Sequence, residues 1–238
     1  MNISTTEEEK LASMKEMMDN IAHQWRQPLS QINSIVSVLD NRLYELNIDD
    51  EIINEKLLEI EKLTKYMSDT IDDFKGYFDE DDTKKEFVIN DVIEDVVSVI
   101  GSSLKKDAIE LRVSTDGCYT LYGYPNELKQ IIIVLINNAK DVLLKRNVHQ
   151  AKIEISLKED PQAYVIEVCD NGGGMTRTVM QKIFEPYFTT KHKSQGTGLG
   201  LYMSRKIIQE RFCGSLSVRN IHNGVLFSIT LPKGGING

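Results

Sequence analysis

Apolar residues in the first 80 positions recur at alternating spacings of three and four, in two separate series. The first series consists of Leu11, Met14, Met18, Ile21, Trp25, Pro28, Ile32, Ile35 and Leu39. The second consists of Ile53, Leu57, Ile60, Thr64, Met67, Ile71, Phe74 and Phe78. This spacing predicts two helices, each with one apolar stripe. Turn and N-cap residues at 47–50 separate the series, so the helices should fold back as an antiparallel hairpin.

A single hairpin buries only part of two such stripes, because each helix offers its partner one face. Pairing of two hairpins would complete a four-helix bundle, and a homodimer is therefore the economical prediction. Packing of the hairpin against its own C-terminal domain is the alternative that the pattern leaves open.

Beyond residue 85 the pattern changes to short strands interrupted by three helices. Strands are predicted at residues 85–89, 108–114, 119–121, 152–157, 164–169, 215–218 and 225–231, and helices at 91–103, 125–146 and 199–212. Asn90 is the expected N-cap of the first helix, Gly214 should end the last, and Asn223-Gly224 should form the final turn. The order predicts an α/β sandwich, with helices on one face of a mixed, mostly antiparallel sheet. The chain as a whole is therefore expected to be α+β.

Composition excludes several classes of function. The 238 residues carry a net charge of -8, which argues against a nucleic-acid partner. Three cysteines without metal-type spacing predict no structural zinc and fit a reducing cytosol. The longest apolar run is too short to cross a bilayer, so we expect a cytoplasmic segment without membrane contact.

The charge divides unevenly along the chain. Residues 1–85 hold 10 Lys/Arg against 20 Asp/Glu, whereas the remainder holds 18 against 16. Every glycine lies at or beyond Gly76. The acidic run at residues 79–82 is the natural linker, so the predicted domains are residues 1–80 and residues 85–238.

His23 is the candidate nucleophile of the hairpin. If Ile21 and Trp25 lie on the apolar stripe, His23 points to solvent. Pro28 lacks the amide that would bond the Gln24 carbonyl, and such a break in a helical pattern often accompanies function. An exposed neutral imidazole can attack phosphorus, although an ordinary surface histidine is the simpler alternative.

Two polar segments of the second domain are candidates for ligand binding. Asn137 and Asn138, followed by Asp141, interrupt an apolar helix and offer oxygen ligands to a hydrated Mg²⁺, or alternatively make buried hydrogen bonds. Asp170 ends a strand and is followed by Gly172–Gly174, where a ligand can approach the backbone closely. Its carboxylate could accept a hydrogen bond from an exocyclic amine such as that of adenine. An ordinary turn is the alternative.

Two further segments suit phosphate. Phe184 and Phe188 are spaced to anchor a loop that continues through Thr190 and leaves Lys191 and Lys193 facing phosphate oxygens. A glycine-rich turn then opens the last helix, where backbone amides and the helix dipole favour phosphate. Its residues are Gly196, Thr197, Gly198, Leu199 and Gly200. The four segments together favour a nucleotide pocket.

These segments, in this order, resemble the conserved boxes of two-component sensor histidine kinases. The matching stretches begin with His23-Gln24-Trp25-Arg26-Gln27-Pro28 and continue with Asn138-Ala139, Asp170–Gly174, Phe184–Phe188 and Gly196–Gly200. The resemblance implies a dimerisation and histidine-phosphotransfer hairpin, and an ATP-binding domain of the Bergerat type shared with gyrase, the Hsp90 chaperone and MutL. It also implies ATP and Mg²⁺ as ligands, and the receiver domain of a response regulator as partner.

The same resemblance assigns roles to individual residues. His23 would accept the phosphoryl group, Asn138 would bind Mg²⁺ and Asp170 would recognise adenine. Lys191 would lie near the phosphates. The glycines would shape the pocket and its lid: Gly172, Gly174, Gly196, Gly198 and Gly200.

The chain departs from the family pattern in the hairpin and in the asparagine box. Gln24 stands where an acidic residue often takes a proton, and it cannot titrate. Val134 replaces the first polar residue of the asparagine box. Gln27 could position a water for phosphatase activity, and Arg26 is a candidate for holding the phosphoryl group or the partner. Two alternatives therefore stay open: an ATPase without histidine phosphorylation, and a weakly catalytic dimeric scaffold.

Overall fold

The computed structural model describes the backbone of residues 4–76, 83–191 and 198–233, and the side chains of residues 24–65, 67–68, 83–191 and 198–233. The chain divides into two compact units, a helical hairpin and a sheet-containing unit, and each is considered by itself.

The hairpin consists of α1 (Ser4–Glu45) and α2 (Glu51–Gly76). Asn47 adopts a left-handed conformation with φ 53°, which reverses the chain after α1. The Asp50 carboxylate then accepts hydrogen bonds of 3.0 Å from the amides of both Ile52 and Ile53. This side chain caps α2 as the turn sequence predicted. Phe78, the end of the second apolar series, lies outside the described residues.

The two helices pack through a face of α1 that lies one position beyond the predicted stripe. Leu29 and Val36 are buried, and Asn33 between them bonds the buried Thr64 hydroxyl of α2 at 2.5 Å. Those residues of the neighbouring predicted stripe whose side chains are described stay largely exposed in the single chain. We call these exposed residues the outer stripe: Trp25, Ile32, Ile35 and Leu39.

The second unit is built from seven strands and four helices within the described residues. The strands are β1 (Lys85–Val88), β2 (Glu110–Thr115), β3 (Thr120–Gly123), β4 (Lys152–Glu159), β5 (Ala163–Asp170), β6 (Ser215–Ile221) and β7 (Gly224–Pro232). The helices are α3 (Ile89–Lys106), α4 (Pro125–Lys145), α5 (Arg177–Lys182) and α6 (Gly200–Arg211).

Five strands form one mixed sheet in the order β2-β4-β5-β7-β6. Only β2 and β4 run parallel, and the other pairs are antiparallel. β1 and β3 form a separate two-stranded sheet. Alternate residues of β4, namely Ile153, Ile155 and Leu157, are fully buried beneath the helices, whereas the residues between them are not. The expected α+β sandwich, with helices on one face of a mixed sheet, is confirmed.

Three predicted boundaries are wrong, and α5 was not among the three helices predicted beyond residue 85. α3 starts at Ile89 rather than after Asn90. The Asn90 side chain instead donates through Nδ2 to the Gly117 carbonyl and accepts at Oδ1 from the Tyr119 backbone amide. The register of β6 on β7 pairs Ile221 with Gly224, so the turn lies one residue earlier than expected. The left-handed residue after α6 is Cys213, with φ 50°, although the following glycine was expected to end that helix.

Candidate functional site

Asp170 is the most deeply buried acidic group of the site. It ends β5, and 6% of its surface is exposed. Its Oδ1 accepts a 2.7 Å hydrogen bond from the Gly172 amide, and the Val225 amide also donates to the carboxyl group. Burial raises the pKa of Asp170, and these hydrogen bonds together with Arg146 counteract part of that rise. Asp170 forms no ion pair within the described residues, and a buried carboxyl with a shifted pKa is a candidate ligand-recognising group.

Most backbone amides of the glycine-rich loop after Asp170 already donate hydrogen bonds to other protein groups. Besides Gly172, the Gly173 amide donates to the Asn223 carbonyl at 2.9 Å. The Met175 amide donates to the Asn220 side chain at 2.8 Å. These amides are unavailable to a phosphate, so the loop suits a neutral base better than an anion.

The loop lies against α4, which carries the asparagine box. A Cβ atom added at Gly172 would lie 2.9 Å from the Val142 side chain, so the glycine allows this close approach. Asn138 and Asp141, one turn apart, are both half-buried, whereas Asn137 is exposed. No hydrogen bond joins the Asn138 amide to another side chain or backbone group that the structure describes. Asn138 is therefore available to a ligand.

Phe184 packs the phenylalanine segment against the sheet. Phe184 packs edge-on against Phe227 with ring centroids 6.5 Å apart, and the Arg205 guanidinium lies 5.0 Å from the Phe184 centroid. Phe188 is half-buried. Further along, the exposed Thr190 accepts a 3.4 Å hydrogen bond from Lys145 through its carbonyl, and Lys191 is half-buried.

Gly198, two residues before the start of α6, packs its backbone closely against the phenylalanine segment. Its φ of +67° is left-handed, and an added Cβ would lie 2.5 Å from the Tyr187 carbonyl carbon and 2.7 Å from the Phe188 amide. Leu199 is buried, Gly200 begins α6, and the first turn of that helix contains no acidic residue. An anion is therefore not repelled there. Gly196 and Thr197 lie outside the described residues.

The hairpin residues flank the candidate acceptor. His23 belongs to α1, and its side chain lies outside the described residues. Gln24 and Gln27 are exposed and Arg26 is half-buried; together with Ser30 they line a shallow depression.

Sequence reasoning missed the side chains that hold the glycine-rich loop. The side-chain Oδ1 of Asn171 accepts a 2.8 Å hydrogen bond from the Lys152 backbone amide, and its Nδ2 donates to the Gln150 carbonyl at 2.9 Å. Arg146 and Asn220 also bond the loop. The position of Asn171, directly after the strand-end carboxylate of Asp170, is a local signal that could have indicated its role. Arg146 and Asn220 carry no such signal, because they reach the loop from distant positions.

The mixed sheet, the buried strand-end carboxyl and the glycine-rich entry to α6 define an ATP-binding domain. Residues 123–235 match the family described as histidine kinase-, DNA gyrase B-, and HSP90-like ATPase. The catalytic domain of the histidine kinase ThkA superposes with a TM-score of 0.57 at 30% identity, over 63% of this chain and 96% of that domain. The chain belongs to the sensor histidine kinases.

Relatives with a wider match support the same family. The two-component sensor PprA of Pseudomonas aeruginosa is 30% identical over 94% of this chain, and the sensor histidine kinase ZraS of Salmonella typhimurium is 28% identical over 94%. The chain spans 25% of PprA and 47% of ZraS. ThkA in complex with the response regulator TrrA gives a TM-score of 0.58 at 25% identity, over 95% of this chain and 64% of ThkA. No helix within the described ranges is long and apolar enough to cross a membrane.

Proposed function

We propose that this chain transfers the γ-phosphoryl group of ATP to His23 and then to an aspartate of a response-regulator receiver domain. In this proposal residues 1–80 dimerise and carry the phosphate, and residues 85–238 bind ATP. The observation that carries the proposal is Asp170, buried at a strand end with its carboxyl group supported by the Gly172 and Val225 amides.

Asp170 would read the adenine base. An ionised carboxylate accepts a hydrogen bond from the exocyclic amine of adenine, whereas the carbonyl oxygen of guanine offers it no proton. Because the loop amides are held by protein groups, the loop needs little rearrangement when the base arrives. The Asp170 carboxylate, beside a loop that is already in its binding shape, would therefore select ATP over a guanine nucleotide.

The donor set around Asn138 fits Mg²⁺ that is held mainly by phosphates. The described residues contain no cluster of three or more His, Cys, Asp or Glu side chains able to enclose a metal. Mg²⁺ commonly keeps several waters and takes one or two protein ligands plus substrate phosphates, and the unengaged Asn138 oxygen suits that role. Bound there, Mg²⁺ would offset negative charge on the phosphates.

The remaining box residues would hold the phosphates. Gly198, Leu199 and Gly200 bring the amino end of α6 to them, and Lys191 would add positive charge. Phe184 and Phe188 fix the start of this segment. Thr190, Gly196 and Thr197 complete the same proposed assignment, and Asn137 and Asp141 would act at the edge of the metal site.

His23 would act as nucleophile. A lone pair of its imidazole attacks the γ-phosphorus, the bond to the bridging oxygen breaks, ADP leaves and a nitrogen–phosphorus bond forms, while the imidazole proton passes to solvent. Gln24 cannot take that proton and would orient the ring. Arg26 would offset charge on the phosphoryl group, and Gln27 lies one helical turn from His23, where it could hold a water.

The outer stripe supports a homodimer. Trp25, Ile32, Ile35 and Leu39 follow the spacing of a helix-bundle seam, yet the hairpin buries its own Leu29 and Val36 instead. Pairing of two outer stripes would remove this apolar surface from water and form a four-helix bundle. A receiver domain would then dock on the outside of the bundle, beside His23.

Labelling with γ-labelled Mg-ATP tests the proposal. The full chain should acquire an acid-labile, alkali-stable label, His23→Ala should acquire none, and the matched variant of the exposed His149, His149→Ala, should label normally. Equal label on His23→Ala would refute histidine transfer. If His23→Ala acquires no label but hydrolyses ATP like wild type, the chain is an ATPase without histidine phosphorylation. If the wild-type chain does not bind ATP, the dimeric scaffold is the function that remains.

A further inference from the structure

Arg146 directly follows α4, and its guanidinium reaches across to the glycine-rich loop. Nη1 donates to the Gly172 carbonyl, and Nη2 donates to the Gly174 carbonyl at 3.2 Å. One planar group therefore ties two carbonyls that are two residues apart. A lysine, with a single compact ammonium, cannot match this fork geometry.

The intervening residue is shaped around the guanidinium. Gly173 has φ +83°, which favours glycine, and a Cβ there would lie 2.6 Å from Arg146 Nη1. The guanidinium thus occupies the space that a side chain at this position would need. The Gly173 amide bonds the Asn223 carbonyl, so the chain cannot rotate away without losing that hydrogen bond.

A second side chain holds the far end of the loop. Asn220 of β6 accepts from the Met175 amide and donates to the Met175 carbonyl, both at 2.8 Å. The loop is therefore held between α4, through Arg146, and β6, through Asn220. Three consecutive glycines have large conformational freedom, which these side chains remove.

We infer that Arg146 is a positioning residue that keeps the loop in its nucleotide-binding shape and links it to the helix that carries Asn138. The inference rests on the proposed ATP binding by this unit. If the loop is competent in only a fraction of molecules, the apparent affinity falls by that fraction. Loss of Arg146 should therefore weaken ATP binding without any loss of a contact to ATP itself.

The main test compares Arg146→Ala, Arg146→Lys and Arg112→Ala in the full chain. Arg112 pairs with Glu110 on the exposed β2 strand, outside the site, and controls for the loss of one positive charge. We expect Arg146→Ala to raise both the calorimetric Kd for ATP and the KM for labelling by about tenfold, with kcat unchanged. Arg112→Ala should match wild type. The Kd and KM of Arg146→Lys should stay close to those of Arg146→Ala, because a positive charge alone does not bridge two carbonyl groups.

Two further readouts separate positioning from a simple charge at a helix end. Amide exchange at Gly173 and Met175 should quicken in Arg146→Ala without nucleotide. Gly173→Ala should weaken ATP binding in wild type and cost less in Arg146→Ala, because part of its clash is with the guanidinium.

Wild-type affinity in Arg146→Ala, full rescue by lysine, or additive effects with Gly173→Ala would each overturn the inference. A wild-type chain that fails to bind ATP would overturn the proposed function instead, and the two failures are thereby distinguishable.

Discussion

Replacement of Gly224 by alanine should damage the nucleotide site from outside it. Gly224 begins β7 and lies against the backbone of Asp170, the last residue of β5. An added Cβ would lie 2.6 Å from the Asp170 carbonyl carbon, closer still to its oxygen, and 3.1 Å from the Asn171 Cα. These neighbours are backbone atoms in a paired sheet, so no side chain can swing aside.

The size of the effect follows from these contacts. An ordinary Cβ contact begins at 3.4 Å, so the Asp170 carbonyl carbon alone must retreat by about 0.8 Å. Overpacking of this kind typically costs about 1–3 kcal/mol, and the rigid backbone places the change at the upper end. A misplacement of about 1 Å can reduce activity roughly 100-fold. We therefore expect Gly224→Ala to lose about 3 kcal/mol of stability, to label roughly 100-fold more slowly and to bind ATP more weakly.

Gly101→Ala is the matched control, because a Cβ at this position in α3 meets nothing within 4 Å. Alanine should stabilise the helix by about 1 kcal/mol and leave ATP binding unchanged. Urea unfolding and ATP calorimetry on both variants measure the two effects. If Gly224→Ala keeps wild-type ATP affinity and loses less than about 1 kcal/mol, the close approach of Gly224 to Asp170 does not constrain the site.

Four further predictions concern other parts of the chain. Burial raises the pKa of Asp170, so its protonation should weaken ATP binding as pH falls, starting at a higher pH than for an ordinary carboxyl. Without nucleotide the folded chain binds this proton more readily than the unfolded chain, so the free energy of unfolding should rise as pH falls through the same window. Calorimetry and urea unfolding across pH measure the two trends, and either trend reversed would contradict the reasoning. Asn138→Ala should remove most of the Mg²⁺-dependent gain in ATP affinity and spare Mg²⁺-free binding, whereas equal losses in both would assign Asn138 a structural role. Ile35→Asp, on the outer stripe where 60% of Ile35 is exposed, should weaken self-association by at least roughly tenfold in sedimentation, and Ser37→Asp on the opposite side should not. Ser204→Ala should leave stability unchanged or raise it by about 1 kcal/mol, because the fully buried Ser204 hydroxyl has no hydrogen-bond partner among the described residues; a clear loss in the urea midpoint would mean that the hydroxyl is bonded.

Features encoded by neighbouring residues were predictable. The Asp50 cap depends on a side chain two and three residues from its amides, and the spacing of Phe184 and Phe188 already indicated an anchored segment. The helix and strand pattern likewise gave the mixed sheet. Such features arise from contacts within one element or its adjoining turn, so a local pattern carries them.

Features that depend on register between distant elements were not predictable. The spacing of α1 suggested one apolar stripe, but the hairpin packs through Leu29 and Val36, because the choice of face depends on how α2 approaches. Gly224 was expected as a turn residue, whereas the structure uses its missing side chain for the close approach to Asp170. Arg146 has the position of an ordinary charge at a helix end, and only the folded chain brings it to the loop.

The place of β5 in the sheet has a consequence for the order in which the site forms. β5 pairs on one side with β4, made just before it, and on the other with β7, the last strand that the structure describes. A growing chain therefore holds Asp170 on an open sheet edge until β7 has been synthesised, because the Val225 amide and the Gly224 contact come from that strand. If ATP binds as proposed, a fragment that stops before β7 should expose an unpaired edge and bind no nucleotide.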